Sequence, residues 1–276
     1  ACSQDQLAAV LASAGLDPAE LQQQRPAEYS RLMLPLAQVL AEVHAARVGK
    51  AVGTLTLQPA ELMARLCFLA HEAGLTPDDL RHMARRNLRF ILFDLESARN
   101  LLTWLHAQKV STKQLRLASR RYATFWAVGV ERLGRSKQHL QQRLAVKDSQ
   151  WAEGLAMQPW GAWAAPEMVD GVVAWLQAEP IGFTRAEVAQ LWRSEPALFA
   201  TPVATLQGNL QGLLNRGPLS NQQLRLILRR RSSMLFQDVD TFLAKVDSLV
   251  AELPGLESGL GKILLLSGAA LELDSG

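Results

Sequence analysis

The sequence has few cysteines, few aromatic residues and no long apolar run, and each shortage excludes a class of protein. Cys2 and Cys67 are the only cysteines among the 276 residues, too few for a disulfide framework. No apolar run reaches the ~18 residues that a membrane-spanning helix needs. Runs of β-branched residues are also scarce, which argues against a sheet. The sequence therefore excludes a disulfide scaffold, a membrane-spanning protein and an all-β fold.

Leu, Ala, Gln and Arg dominate, and all four favour helices. With 49% hydrophobic and 20% charged residues, the chain has the composition of a folded protein. The net charge of +3 does not by itself indicate a nucleic-acid partner; what matters is whether the positive charge is gathered on one face. The chain begins at Ala1 without methionine, so the lack of a recognisable targeting segment is not evidence for the cytosol.

A hydrophobic pair five residues apart recurs along the chain. Its first members are Leu75, Val110, Val146, Phe183 and Leu219. Leu256 continues the spacing of 35 to 37 residues, but the pair lapses there because Gly261 stands at its second position. Helix-pair repeats of this length bury their apolar faces against their neighbours and build a solenoid. We therefore predict an all-α superhelical solenoid, right- or left-handed, of about 35–37-residue repeats. Residues 1–59 would form a degenerate repeat and irregular segment, 60–255 the regular repeats, and 256–276 a C-terminal cap.

Arginines occupy matching positions in three of these repeats. Counted from the first hydrophobic residue they lie at +6, +10 and +11, as Arg81, Arg85 and Arg86 do after Leu75. Positions +6 and +10 are one helical turn apart, so stacked repeats would align them into a stripe that follows a phosphate backbone. A solvated helix face is the alternative interpretation. The predicted nucleic-acid-binding residues are Arg81, Arg85, Arg86, Arg89, Arg116, Arg120, Arg121, Arg193, Arg225, Arg229, Arg230 and Arg231.

One repeat resembles those of a known family. Residues Gly182 to Val188, the Pro196 to Phe199 step and a leucine-spaced stretch from Leu206 to Leu214 are similar to a repeat of the mitochondrial transcription termination factor family. Those repeats read G-L-S-x-x-(E/Q)-(I/L), then P-x-L-L, then a leucine-spaced helix. The likeness covers roughly residues 60 to 256. It departs at the proline, which is replaced by Leu88, Ala123 and Ser232 in the repeats that begin at Leu75, Val110 and Leu219.

The resemblance implies a curved helical solenoid in an organelle, mitochondrial or alternatively chloroplast. It also implies binding of organellar DNA, or of ribosomal RNA in support of the ribosome, along a positively charged face and without enzymatic activity. Structured RNA is slightly favoured over DNA, because the arginine stripe is broken by Ala152, Ala156 and Met157 in the repeat that begins at Val146. A broken stripe suits an irregular surface better than a uniform duplex.

Tryptophans are concentrated where the arginine stripe is broken. Trp151, Trp160, Trp163, Trp175 and Trp192 lie in this part of the chain. Tryptophans at helical spacing are most often core residues, while stacking on bases or contact with a protein is the alternative. Trp151, Trp160 and Trp163 are therefore candidate protein-contact residues. Organellar ribosomal proteins are the partners that such a scaffold would have.

The sequence offers no support for catalysis. The five histidines and two cysteines fit no metal-ligand spacing, and no serine lies in a nucleophile-elbow context. Asp78 and Asp79 read as first-turn residues that favour a helix N-terminus, and not as an acid–base pair. No catalytic residue, metal, cofactor, membrane or small-molecule substrate is therefore expected.

Overall fold

The fold is all-α, as the composition predicts. The computed structural model describes residues 59–215 and 220–236, together with the single positions Gln23, Asp240, Ala244 and Ser248. Every regular element in this part of the chain is helical, and it contains no strand. The predicted segments 1–59 and 256–276 lie outside the described residues, except for Gln23 and Pro59. Nothing in the described helices is long and apolar enough to cross a membrane.

The chain divides between Arg132 and Leu133 into two compact units, called here the first and the second unit. In the first unit, α1 spans Pro59–Cys67 and continues as a π-helix over Phe68–Glu72. It is followed by α2 at Pro77–Arg86, α3 at Leu95–Ala107 and α4 at Thr112–Arg121. Short 3-10 turns at Leu88–Ile91 and Phe125–Ala127 follow α2 and α4.

Helix α5, Val130–Leu144, begins at the division and belongs mainly to the second unit. That unit then contains α6 at Asp148–Met157, α7 at Pro159–Ala162, α8 at Pro166–Gln177 and α9 at Arg185–Ser194. The chain continues with a 3-10 turn at Pro196–Ala200, α10 at Val203–Leu214 and α11 at Asn221–Arg231. The 3-10 turn Ser232–Phe236 is the last element of the continuously described residues.

Capping boxes explain where many of these helices begin. In α2 the Thr76 hydroxyl accepts a hydrogen bond from Asp79 N, and the Asp79 carboxylate accepts one from Thr76 N. This exchange satisfies two backbone donors that the first turn would otherwise leave unpaired. The same arrangement opens α4, α9 and α11, through Ser111 with Gln114, Thr184 with Glu187, and Ser220 with Gln223. At α6 only half of it forms, because the Lys147 side chain cannot accept, while Lys147 N donates to Gln150 Oε1.

The recurring hydrophobic pairs form the core. Leu75, Val110, Val146 and Phe183 are each at most 4% exposed, and Leu219 lies outside the described residues. Their partners five residues on are equally buried: Leu80, Leu115, Trp151, Val188 and Leu224. Because α2, α4, α6, α9 and α11 each carry the second member of a pair, they present corresponding faces to the core. The positions on their outer faces can therefore be compared from one helix to the next.

Each unit has an aromatic centre. In the first unit, the Trp126 ring packs edge-on against Phe68 at 5.2 Å and Phe125 at 5.1 Å between centroids, and its Nε1 donates to Ser119 Oγ. In the second unit, Trp151 is fully buried and its Nε1 donates to the carbonyl of Ala162. Edge-to-face aromatic pairs and satisfied indole N–H groups fix these centres in one arrangement.

Candidate nucleic-acid interface

A buried carboxylate holds two of the predicted arginines in the first unit. Asp79, in the first turn of α2, is completely buried. Its Oδ2 accepts from Arg116 Nε at 2.7 Å, and its Oδ1 accepts from Arg120 Nη1 at 3.4 Å. Arg116 Nη2 also lies 3.4 Å from the Thr76 hydroxyl. Both arginines belong to α4, so the cluster joins the start of α2 to the middle and end of α4. Arg116 and Arg120 are called here the first arginine pair.

Glu187 holds a corresponding pair in the second unit. It lies in the first turn of α9, and both of its oxygens accept from Arg225 Nη2, at 2.9 and 3.1 Å. Arg229 also donates to Glu187. The Phe183 ring lies under both guanidinium groups, with its centroid 5.5 Å from Cζ of Arg225 and 5.8 Å from that of Arg229. Arg225 and Arg229 are called here the second arginine pair.

The two clusters follow one positional rule. In each cluster, the carboxylate is the third residue of a helix that opens with a capping box. The arginines lie on the next helix that carries the second member of a hydrophobic pair, at positions +6 and +10 counted from the first member of that pair. Where that third residue is glutamine, Gln114 in α4 and Gln150 in α6, the next such helix has alanine at +6, Ala152 or Ala189. Among the described helices that carry a hydrophobic pair, each recurrence of arginine at +6 thus coincides with a carboxylate in the preceding helix of this set. Part of the arginine pattern is therefore accounted for by ion pairing within the protein.

Asp79 remains charged because its hydrogen bonds outweigh its burial. Burial alone would raise the pKa of this carboxyl, but hydrogen bonds from Arg116 and Thr76 and the positive charge of Arg116 hold the pKa below its ordinary value. The cluster therefore contains one carboxylate and two guanidinium groups at neutral pH.

A second set of arginines is exposed at the C-terminal ends of α2 and α4 and on the 3-10 turn that follows α2. Arg86 Nη1 lies 3.5 Å from the carbonyl oxygens of both Arg120 and Arg121, where the negative end of the α4 dipole attracts a cation. This contact brings the two helix ends together. We call Arg85, Arg86, Arg89, Arg120 and Arg121, all of which are exposed, the first-unit arginine cluster.

His82 reports the electrostatic environment of this cluster. Its pKa is lowered first by burial and then by the positive charges of Arg120 and Arg86. Both effects disfavour protonation of the imidazole, because burial removes solvent from the charged form and a neighbouring cation repels it.

The remaining predicted arginines differ in their exposure. In the second unit Arg193, Arg229 and Arg230 are exposed and Arg225 is partly exposed. Arg81 is partly exposed and forms an ion pair with Asp78 one turn earlier in α2. The side chain of Arg231 is not among those described.

The structure corrects the interpretation of two tryptophans. Trp151 is 0% exposed and Trp163 is 3% exposed, because both pack into the second unit's core. Neither is available for a surface contact with another protein, so these two candidate assignments were wrong. Trp160 is 37% exposed and lies close in sequence to Met157, which is 43% exposed. Only this third candidate remains at the surface.

The partners of the arginines were missed in the sequence. Asp79 was interpreted only as a first-turn acid, and Glu187 was not singled out. A spacing in the sequence marks these partners. Asp79 is the acid of a capping box, and Arg116 and Arg120 follow it by 37 and 41 residues, respectively. Repeat alignment that included acidic positions would have shown it.

The described residues hold no group of three or more His, Cys, Asp or Glu side chains placed to bind a metal ion. Cys67 has a raised pKa because of its burial, which disfavours the reactive thiolate. Compared with protein-family models and with curated proteins, the chain matches none.

Proposed function

We propose that the protein is a non-enzymatic nucleic-acid-binding solenoid of the mitochondrial transcription termination factor type. In this proposal its helical repeats are stacked into a superhelix, and arginines of the helices that begin each repeat contact phosphates. Structured RNA, such as the ribosomal RNA of an organelle, is the favoured ligand. The organellar location, mitochondrial or alternatively chloroplast, and a role in or beside the ribosome rest on the sequence resemblance alone.

The first-unit arginine cluster is the observation that carries the proposal. Four of its five exposed arginines lie at the C-terminal ends of α2 and α4, which Arg86 brings into contact, and Arg89 lies on the 3-10 turn that follows α2. Asp79, which is buried beneath Arg116 and Arg120, contacts Arg120 of this cluster from the protein side. Crowded exposed cations repel one another, and a polyanion with regularly spaced phosphates relieves that repulsion while it releases bound counterions.

The choice of RNA over DNA follows from the gap in the arginine pattern. In the repeat that begins at Val146, the corresponding positions hold Ala152 and Ala156, which are buried, and the exposed Met157. A ligand with an irregular surface can contact the chain on either side of such a gap. Mitochondrial DNA, with a role in transcription termination or regulation, is the alternative ligand.

Fluorescence anisotropy with labelled RNA and DNA at several salt concentrations tests the proposal. The variant Arg85→Ala/Arg121→Ala removes two charges from the arginine cluster. We expect weaker binding and a slope of log K against log salt that is smaller by about two, because each lost phosphate contact reduces the slope by about one.

The control variant Lys113→Ala/Lys147→Ala also removes two positive charges, but at the N-terminal ends of α4 and α6. Both lysines are exposed. Its salt slope should equal that of the wild type. Binding that does not change with salt, or equal losses in the two variants, would contradict the proposal.

A protein-interaction scaffold, such as a peripheral subunit of an organellar ribosome, is the second candidate. The exposed Met157 and Trp160 favour it, because methionine and tryptophan are enriched at protein interfaces. Affinity purification with and without nuclease separates the two candidates. Partners that stay bound after nuclease treatment and are lost in Trp160→Ala support the scaffold, whereas partners released by nuclease support nucleic-acid binding.

A further inference from the structure

We propose that each carboxylate–arginine cluster is a preorganised site for a phosphate oxyanion, in which Asp79 and Glu187 are positioning residues that aim paired guanidinium groups at the ligand. The proposal deepens the nucleic-acid function given above and rests on it for the identity of the ligand. In this proposal the two carboxylates do not contact the ligand. They promote its binding by holding the arginines that do.

The carboxylates lie beneath the arginines and not beside them. Asp79 is 0% exposed, while the side chains of Arg116 and Arg120 are 39% and 45% exposed. In the second unit the Glu187 side chain is 18% exposed, against 35% for Arg225 and 51% for Arg229. A carboxylate that masked the arginines would lie at the surface in competition with the ligand. Here each acid holds the inner side of two guanidinium groups and leaves their outer sides toward solvent.

Donors remain for an anion after these contacts are made. Arg116 uses Nε and Nη2, and Arg120 uses Nη1, in the cluster around Asp79. Nη1 of Arg116 and the Nε and Nη2 of Arg120 are therefore the nitrogens that can donate to an oxyanion. Two guanidinium groups held in a fixed orientation bind a phosphate with less loss of side-chain entropy than two free arginines would.

Each cluster keeps an excess of positive charge. One carboxylate faces two guanidinium groups, so a net charge of about +1 is left in each cluster, assuming the ordinary ionisation of these groups at neutral pH. In the first unit Arg86 adds a further cation beside Arg120. The acid thus orients the pair without cancelling its attraction for a phosphate.

The second cluster shows how the ligand could be accommodated. A cavity of about 100 Å³ lies against Arg229 and is lined also by Glu187, Gln190, Leu191 and Ser194. Gln190 carries a side-chain amide that can donate to a phosphate oxygen, whereas the Ser194 hydroxyl already donates to the carbonyl of Leu191 at 3.0 Å. The Phe183 ring supports both guanidinium groups from the protein side, which limits the directions in which they can turn. Two clusters with different acids, in different units, thus share one design.

Amide variants distinguish a positioning acid from a masking acid. We would measure binding of a fluorescein-labelled RNA duplex to the full chain and to Asp79→Asn. If Asp79 positions the arginines, the variant binds about tenfold more weakly, as loss of an outer supporting contact does in metal sites, although it has gained positive charge. The salt slope stays that of the wild type because no arginine has been removed. Tighter binding with a steeper slope would show that Asp79 masks the arginines, and would overturn the proposal.

Asp78→Asn is the matched control. Asp78 is the neighbouring residue, its side chain is 83% exposed, and it pairs with Arg81 within α2. Its amide variant changes the net charge as Asp79→Asn does but leaves the first arginine pair intact, so its binding should equal or exceed that of the wild type. Thermal melting establishes that each variant folds. If Asp79→Asn does not fold, Glu187→Gln makes the same test at a less buried acid, with the same expected and contrary results.

A titration with inorganic phosphate tests the site separately from the nucleic-acid function. The Arg116 Nε–H signal in a nitrogen–proton NMR spectrum should shift and saturate in the wild type and should not saturate in Asp79→Asn. No saturable shift in the wild type would overturn the phosphate site. A saturable shift in a protein that binds neither RNA nor DNA would uphold the site and refute the proposed function.

Discussion

Replacement of Arg116 by alanine tests whether the Asp79 cluster also stabilises the fold. The substitution removes the 2.7 Å hydrogen bond from Nε to the carboxylate and the weaker contact with the Thr76 hydroxyl. Asp79 stays completely buried and keeps its bonds from Thr76 N and Thr76 Oγ1, at 2.9 and 2.7 Å, and the longer one from Arg120. The charge is therefore left with fewer partners but not alone.

The expected loss follows from these remaining contacts. A hydrogen bond to a charged group contributes about 1.5–3 kcal/mol, and removing one partner of a fully buried ion pair costs about 3–5 kcal/mol. Because Arg116 is 39% exposed and solvent screens its charge, the lower range applies. We expect the free energy of unfolding to fall by about 2 kcal/mol.

Urea unfolding measures this loss, with two variants for comparison. Arg225→Ala should cost less, about 1 kcal/mol, since Glu187 is partly exposed and keeps Arg229. Arg85→Ala changes an exposed residue in the last turn of α2 and should cost under about 0.5 kcal/mol, as most surface substitutions do. Equal losses for Arg116→Ala and Arg85→Ala would refute the reasoning.

The pH dependence supplies an internal check. The pKa of Asp79 is lowered in the folded protein, so its contribution to stability is present above the ordinary carboxyl pKa of about 3.9 and is lost as the pH falls through the folded value. The difference between the wild type and Arg116→Ala should be complete at neutral pH. It should shrink below the ordinary carboxyl pKa of about 3.9, where Asp79 takes up a proton in the unfolded chain, and vanish as the pH falls through the lower folded pKa. A difference that stayed constant into strong acid would assign the loss to packing.

Local sequence signals were enough to predict the helical class and many helix starts. Thr76 followed by Pro77 is the pattern of an N-cap with proline in the first turn, and α2 begins at Pro77 with Thr76 as its cap. The hydrophobic pair of Leu75 and Leu80 marked the buried face, and both are buried. Caps and apolar spacing act over a few residues, so a single sequence records them.

The candidate interface could be predicted only in part, because its contacts join residues far apart in the chain. Spacing placed Arg116 and Arg120 on one face of α4, and both reach the same carboxylate. It did not indicate that this face meets the start of α2, since helix periodicity says nothing about which neighbour a face contacts. The ion pair was thus outside what the arginine pattern alone could reveal.

The tryptophans show a different limit. Trp151 occupied the second position of a hydrophobic pair, which elsewhere holds Leu80 and Leu115, and that position alone indicated burial. Trp160 and Trp163 could not be separated by periodicity, because α7 ends at Ala162 and is too short to set a helical face. Packing decides between them: Gly161 lies so close to Pro196 that it fixes α7 on the turn Pro196–Ala200 and leaves Trp160 outside.

Three further predictions follow from packing and charge. Gly161→Ala should lower the free energy of unfolding by at least about 1–3 kcal/mol, because a Cβ there would lie 2.2 Å from backbone atoms of Pro196 that cannot rotate away. Gly208→Ala, within α10 and with no atom within 4 Å of a new Cβ, should raise it by about 0.5–1 kcal/mol; urea unfolding of both tests the contrast, and equal effects would contradict it. His82 has a lowered pKa in the fold, so its contribution to stability is present above the ordinary imidazole value of about 6.5 and is lost as the pH falls through the folded value. His82→Gln should therefore lose less stability than the wild type between about pH 7.5 and pH 5, a range that spans the ordinary imidazole pKa at which the unfolded chain takes up its proton, when unfolding is followed at both values. An equal loss in the two proteins would show that burial and the positive charges of Arg120 and Arg86 do not lower the pKa of His82.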